Sequence, residues 1–457
     1  MVRDMAFDYR LRQEKRGGFL LDRRSGVSSR LSQPQFDLLA ALHKAGHAPA
    51  NWPGAGIARH FGRDTAAGMQ WWHALSAMGL ATETGLESLQ VITLVDALKD
   101  IPDDCLAAPA RVYFELTRRC NLTCRTCFNK SHRPLANELT MPEVLDILDQ
   151  LEKLGTFEIR LTGGEPTTHP GLREVIASAR ERSFYVSLGT NGVYSEAVRS
   201  WIYSSGVNWF IVSLDGTEEV NDRVRGRGTY RQVLCTLSEL ADHPQLRVRL
   251  NMVVGRHNVH TIEPLAELAD RYNVESLNMI PLRPYGRSVE TMTVDMFDQD
   301  GFYAFIRRIQ QVRRRHRVQL ITTLDLLDPE ATTSHDPIVQ KQYTCAAGVE
   351  ATVIGATGDV YGCSYSPASF PDSPDLDGRR LFVAGNVRDE SLHDIWRDSA
   401  RWAVFRSLDI YKNPRCKDCA HYGVRCVGSC PIMGYFQEGA PDALDPYCFV
   451  DLMQETR

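Results

Sequence analysis

The distribution of cysteine constrains this chain more than any other feature. There are twelve cysteines, at 105, 120, 124, 127, 235, 345, 363, 416, 419, 426, 430 and 448. Cys105 and Cys235 stand alone and read as small buried hydrophobes or inert thiols. The other ten form one compact group of three and one spread group of seven, far apart in the chain. The N-terminus alternates charged with apolar residues and has no signal-peptide core. Metal ligation is therefore a better reading than a disulfide framework. The 457 residues suggest about three domains. With 43% hydrophobic and 24% charged residues, the composition is that of a folded globular protein. A net charge of −5 offers no global field for nucleic acid. No apolar run reaches the length of a membrane span. A reducing cytoplasm is the expected location.

Hydrophobic patterning divides the chain. Phe7–Lys15, Phe19–Arg24 and Val27–Leu31 read as short strands separated by Gly-containing turns. Ser32 with Gln35 forms a capping box for a helix carrying Phe36, Leu38, Leu39 and Leu42 and stopping near Gly46. Two further helices follow at Gly56–Phe61 and Asp64–Met78. Strands and then three helices within residues 1–85 predict a winged-helix unit, and 86–110 reads as a linker. Within 111–285, six strand-like runs alternate with helical stretches: Val112–Thr117, Phe157–Thr162, Tyr185–Thr190, Trp209–Leu214, Val248–Val254 and Leu277–Leu282. Thr140 and Glu143 form a second capping box. Alternating strands and helices predict an α/β fold with a parallel sheet, here a partial (β/α)6 barrel. Residues 286–344 form a bridge and 345–457 the cysteine-rich remainder. A basic run from Arg307 to Arg317 reads as a solvated helix face or a docking site for an acidic electron donor.

The compact group, Cys120, Cys124 and Cys127, has C-x3-C-x2-C spacing and follows the first strand of the alternating series. Zinc sites generally complete a four-ligand set, and no fourth cysteine is near. Three thiolates on a 4Fe–4S cubane leave one iron open to a ligand. This arrangement resembles the radical S-adenosylmethionine (radical SAM) enzymes, and later motifs follow in that family's order. Gly163-Gly164-Glu165 ends the second strand and resembles the segment that holds the methionyl amine. Asn191 ends the third strand; Ser213 and Asp215 end the fourth, with Arg225 beyond. The resemblance implies that these residues bind S-adenosylmethionine. Thr126 stands where the family commonly has an aromatic residue, and Phe128 follows the third cysteine, so the adenine contact would be made differently.

The spread group resembles the SPASM extension of radical SAM enzymes. The resemblance implies two auxiliary 4Fe–4S clusters, one on Cys416, Cys419, Cys426 and Cys448 and the other on Cys345, Cys363 and Cys430. The gap between Cys419 and Cys426 is one residue longer than usual. Seven ligands are one short of eight, so the second auxiliary cluster would have an open iron or a non-cysteine ligand.

The third helix of the front module has no Lys or Arg and is apolar and aromatic, with Trp71 and Trp72. That is unsuited to reading DNA. The module resembles the RiPP recognition element, similar to the PqqD-like peptide chaperone of pyrroloquinoline quinone synthesis. In that family a leader peptide adds as a strand. The implied contacts are Val27, Ser28, Ser29, Arg30, Leu31, Trp71 and Trp72, with Arg23, Arg24 and Arg30 available to acidic leader residues.

Together these resemblances imply a radical SAM/SPASM peptide maturase of the kind that makes sactipeptides such as subtilosin. It would use three 4Fe–4S clusters and S-adenosylmethionine. A 5′-deoxyadenosyl radical would take hydrogen from a ribosomal precursor peptide, and a thioether or carbon–carbon crosslink would follow. Flavodoxin or ferredoxin would supply electrons; no nucleic acid or membrane partner is expected. The alternatives are a sulfatase-activating protein oxidase, a tetrapyrrole or other small-molecule modifier, and a non-enzymatic iron–sulfur or zinc regulator.

Overall fold

The computed structural model describes residues 8–24, 26, 28–46, 54–62, 64–92, 101–283, 286–322, 345–366, 376–406, 414–419 and 428–448. Val27 and Cys426, both expected as site residues, lie outside the described residues.

The chain begins with an antiparallel meander, β1 (Tyr9–Gln13), β2 (Gly18–Asp22) and β3 (Ser28–Leu31). Helices α1 (Gln33–Ala45), α2 (Gly54–Phe61) and α3 (Thr65–Ala77) follow. The expected capping box is present: Gln35 Oε1 accepts from Ser32 N at 2.8 Å. The buried face of α1 is the expected one, Phe36, Leu38, Leu39 and Leu42, and it packs against Trp71 and Leu75 of α3. A short α4 (Glu83–Glu87) and β4 (Leu89–Ile92) come next, and β4 pairs in parallel with β1. The sheet order is β3-β2-β1-β4. The stretch read as a linker thus supplies a strand. Its later part is also buried, at Ile101, Leu106, Ala107 and Ala108.

The six expected barrel strands are β5 (Arg111–Thr117), β6 (Glu158–Gly163), β7 (Tyr185–Thr190), β8 (Trp209–Ser213), β9 (Arg247–Val254) and β10 (Ser276–Pro281). They are all parallel. Between them lie α5 (Met141–Lys153), α6 (Leu172–Glu181), α7 (Glu196–Ile202), α8 (Glu218–Arg225), α9 (Thr229–Ala241) and α10 (Ile262–Arg271). The sheet continues at both edges. β11 (Gln319–Thr322), from the bridging region, joins β10. β12 (Ala351–Ile354), from the cysteine-rich region, joins β5 in parallel, and β13 (Asp359–Tyr361) and β14 (Val383–Asn386) extend it antiparallel. Barrel and C-terminal region therefore share one ten-stranded sheet.

Alternation along the strands separates two surfaces. Outward residues such as Leu161, Leu188, Phe210, Val212, Leu250, Met252 and Met279 are fully buried against the helices. Inward residues such as Thr162, Ser213, Asn251 and Asn278 are only half-buried. A sheet face that is polar and incompletely covered lines an open lumen.

The front module closes the lower end of this lumen. Phe19 and Leu21 of β2 pack on Phe157, Tyr185, Trp209 and Ile211, at or near the first residues of the barrel strands. Phe19 stacks on Phe157 with ring centroids 5.5 Å apart. Arg10 and Arg12 of β1 lie over the same ring and donate to Thr156 O and Gly155 O, both at 3.0 Å. The arginines expected to await an acidic leader are mostly engaged. Arg23 is buried, Arg30 pairs with Glu350 at 2.6 Å, and only Arg24 has a largely exposed side chain. The basic run is largely a solvated face, with Arg307, Arg314, Arg315 and Arg317 exposed, and two of its members, Arg308 and Arg315, pair with Glu263 of α10 at 2.8 Å.

Glu158 anchors the lowest layer of the barrel. It is buried and pairs with Arg111 and with Arg160, the latter at 2.9 Å, and accepts from Ser187 Oγ at 2.8 Å. Burial pushes its carboxyl up, but the two guanidiniums and the hydrogen bonds outweigh that and hold it at about 2. A depressed carboxyl contributes stability that is complete above the ordinary glutamate range and is lost as pH falls through 2. Glu158→Gln should cost on the order of 3 kcal/mol above pH 5. The difference from wild type should shrink steadily toward pH 2, read as urea midpoints across the acid range; a pH-independent difference would contradict this.

Candidate functional site: the cysteine loop and the barrel mouth

The loop after β5 carries the compact cysteine group at the carboxyl ends of the parallel strands, where α/β sheets present their ligand sites. Several backbone bonds fix it. Cys120 N donates to His132 O (3.1 Å), His132 N to Arg118 O (3.1 Å), and Cys127 N to Cys124 O (3.3 Å). Glu138 braces the strand end, accepting from Thr117 Oγ1 (2.8 Å) and Arg118 N (2.6 Å). A clasp that sequence reasoning missed comes from beyond β10. Arg287 donates from its backbone to Cys127 O (2.9 Å) and from Nη1 to Cys124 O (2.6 Å). A Cβ on Gly286 would meet Phe128 O at 2.2 Å, so glycine is required there. The Gly-Arg pair just past the sixth strand was the available signal.

Asn191 Nδ2 lies 3.9 Å from Cys120 Sγ, and Leu122 N donates to that sulfur at 3.4 Å. Cys124 sits beside the Arg225 guanidinium; burial pushes its thiol up while Arg225 opposes. Burial pushes Cys120 up to about 12. Thiols of this kind deprotonate when a metal binds them. Among the described residues, no three His, Cys, Asp or Glu groups close on one point as a single metal ion requires. Ligands of a cubane are instead spread over separate irons.

Gly163 and Gly164 abut the cysteine loop. A Cβ on Gly163 would meet Thr117 O at 2.3 Å, and one on Gly164 would meet Arg119 O at 2.2 Å. These glycines let the end of β6 press against the loop, a role additional to the expected approach to a ligand. Glu165 is fully buried and ties the ends of β6 and β7 together. It accepts from Thr167 Oγ1 (2.7 Å), Thr190 Oγ1 (2.9 Å) and Asn191 N (2.7 Å). Asn191 also donates to Asn121 Oδ1 at 2.7 Å. Ser213 ends β8 facing the lumen, level with Asn251 of β9. Asp215 is fully buried, 2.8 Å from Arg225 Nε and accepting from Val253 N at 2.8 Å. It therefore acts by holding Arg225.

Cys345 precedes β12, Cys363 follows β13, and Cys430 caps the helix Pro431–Glu438. The Cys430 thiol stands near both Cys345 and Cys363. Burial, then the neighbouring thiols, pushes Cys345 up to about 11 and Cys363 up to about 12. Arg283 Nη1 lies 3.7 Å from Cys430 Sγ, a cation beside the thiol group. The other set centres on buried Ser429, whose Oγ is 3.9 Å from Cys416 Sγ and accepts from Asp445 N at 3.2 Å. Cys448 N closes the same turn on Asp445 O at 2.8 Å. Phe128 of the first loop meets Tyr365 edge-on, centroids 5.2 Å apart. The two cysteine regions thus touch through Phe128, the aromatic residue noted beside the third cysteine.

The expected leader contacts lie at the far end. Among the described residues β3 pairs only with β2. Trp71 is 1% exposed, within the core, its Nε1 without a partner among the described residues, and Trp72 is half-buried.

Among the described residues, no helix is long and apolar enough to cross a membrane. Residues 114–269 match the radical SAM superfamily, and 345–420 match an iron–sulfur cluster-binding domain, SPASM. The mycofactocin maturase MftC of Mycobacterium ulcerans is 31% identical over 350 residues, covering 75% of this chain and 88% of that protein. The PqqA peptide cyclase of Methylorubrum populi is 26% identical over 352 residues, covering 76% and 86%. Among solved structures, Streptococcus suis SuiB bound to S-adenosylmethionine aligns over 97% of this chain and 98% of its own, with TM-score 0.67 and 17% identity. SuiB bound to its precursor peptide SuiA aligns over 96% and 97%, with TM-score 0.67 and 15% identity. The thiol loop at the barrel mouth, the glycine cradle beside it and these matches have one reading: the chain is an enzyme of the radical SAM superfamily with a SPASM domain, using S-adenosylmethionine and iron–sulfur clusters.

Proposed function

We propose that this enzyme modifies a ribosomally made precursor peptide, forming a thioether or carbon–carbon crosslink within it. The observation that carries the reading is the relationship to a maturase at 31% identity, supported by an open polar lumen wide of the cysteine loop. Three 4Fe–4S clusters would be held by Cys120, Cys124 and Cys127; by Cys416, Cys419, Cys426 and Cys448; and by Cys345, Cys363 and Cys430. When bound, the first cluster and S-adenosylmethionine supply hydrogen-atom abstraction from an unactivated carbon. The chain's own part is positional. Arg287 and Glu138 hold the thiol loop, Glu165 and Asn191 fix the rim, and Asp215 orients Arg225 beside Cys124. An external donor of the flavodoxin or ferredoxin kind would supply electrons.

The front module, in this reading a winged-helix recognition element, binds the leader by strand addition at β3. Its edge position and its one-sided pairing support this. The test uses the reconstituted full-length enzyme with a short peptide encoded beside its gene. Mass spectrometry after coexpression should show loss of two hydrogens from the peptide; an unaltered mass across all neighbouring peptides would sink the reading. Hydrogen exchange should show new protection of the Ser28–Leu31 amides when the leader is added. Protection elsewhere only would overturn leader binding at β3.

A further inference from the structure

The lumen carries an excess of positive charge that the cysteine chemistry does not use. Arg160 of β6, Trp209 of β8 and Arg249 of β9 all lie on the inward face. Guanidiniums crowd the indole: Arg249 lies 4.1 Å from the Trp209 ring centroid and Arg160 5.5 Å. Glu158 serves both Arg111 and Arg160, and Arg247, 4.6 Å from the same ring centroid, is held by Glu275. Arg249 donates from Nε to Ser276 Oγ at 3.1 Å and forms no ion pair among the described residues. Two donors in the cluster have no acceptor among the described residues, Arg160 Nε and Trp209 Nε1. Trp209 is 5% exposed. A buried donor left unmatched costs about 1–3 kcal/mol, and stacking on an indole offsets part of a guanidinium's desolvation without satisfying its N–H groups.

We propose that Arg160, Arg249 and Trp209 form a binding site for a carboxylate carried by the peptide segment being modified. The inference rests on the peptide-maturase reading and adds to it the chemical character of that segment. A carboxylate is the anion an unmodified peptide offers, and it matches the planar guanidinium fork. It comes either from an Asp or Glu side chain or from the peptide's C-terminus. Depth agrees with such a role. Asn251 lies level with Ser213 at the barrel mouth, and Arg249 is two residues lower on the same strand, roughly 7 Å down. A carboxylate held there leaves its own residue, or the next, at the level of the cysteine loop. Nearby Tyr113, with Arg160 over its ring at 5.0 Å, walls the same space.

The test compares three forms of the precursor on the reconstituted holoenzyme: native, C-terminally amidated, and with core Asp and Glu replaced by Asn and Gln. One neutral form should raise KM at least tenfold, and which form does so identifies the source of the carboxylate. Arg249→Gln should raise KM for the native peptide by a similar factor, and the neutral peptide should lose little more on that variant. An unchanged KM for both neutral forms on wild type overturns the proposal, and so do losses that multiply between peptide and protein changes. The peptide arms need no protein variant, so they decide the matter if Arg249→Gln does not fold; Arg249→Lys, which keeps the charge, then serves as the protein arm. Glutarate provides a probe independent of the peptide. It should raise the thermal midpoint of wild type and not of Arg249→Gln. If no peptide is turned over, the maturase reading fails, and glutarate alone decides: selective stabilisation supports the carboxylate site and its absence refutes it.

Discussion

Cys124→Ala is expected to abolish formation of 5′-deoxyadenosine under dithionite, to below detection in a discontinuous chromatographic assay. Three thiolates are the fewest that hold a cubane with one iron open, and removing one leaves a site that cannot retain it. Iron per chain should fall by the content of one cluster, from roughly 12 to roughly 8 if all three are four-iron clusters. The loss should be chemical rather than structural. Cys124 is only half-buried, and its backbone stays clasped by Arg287 Nη1 on its carbonyl. Circular dichroism and the unfolding midpoint should therefore change little. Deoxyadenosine production persisting at even a tenth of the wild-type rate would be incompatible with this cluster assignment.

Asp215→Ala should be the most damaging single change to stability away from the cysteines, at about 3–5 kcal/mol. The Asp215–Arg225 pair is buried on both sides, with side chains 0% and 9% exposed. Removing the carboxylate strands a guanidinium in a water-poor site and orphans Val253 N, which Asp215 Oδ1 accepts at 2.8 Å. Urea unfolding monitored by tryptophan fluorescence checks the size. Adding Arg225→Met to Asp215→Ala should restore a substantial part, because a buried pair replaced whole costs far less than one broken in half. A single-mutant loss below about 1 kcal/mol would show that the pair is hydrated or dispensable.

The elements legible in the sequence were those whose signals are local. The cysteine spacing, both capping boxes and the six barrel strands each lie within a window of a few residues, and each is where it was expected. What escaped depends on distant partners. β4 is four residues long, Leu89–Ile92, and is a strand because it lies parallel to β1 some 80 residues earlier. β12 reads as an unremarkable apolar run, and its pairing with β5 spans some 240 residues. Helix α8 has only Val220 and Val224 as apolar members of its buried face, too few to show a period. Arg30 looked available because a sequence cannot reveal that Glu350 stands opposite it. The charged floor of the lumen was invisible for the same reason: Arg160, Trp209 and Arg249 come from three separate strands.

The seal that Phe19 and Leu21 make against Phe157, Tyr185 and Trp209 has a topological consequence. A floor of this kind bars axial passage: nothing can be threaded from the mouth out through the lower end. A peptide substrate, as proposed, would therefore offer the mouth a free end or a doubled-back bend rather than slide through along the barrel axis.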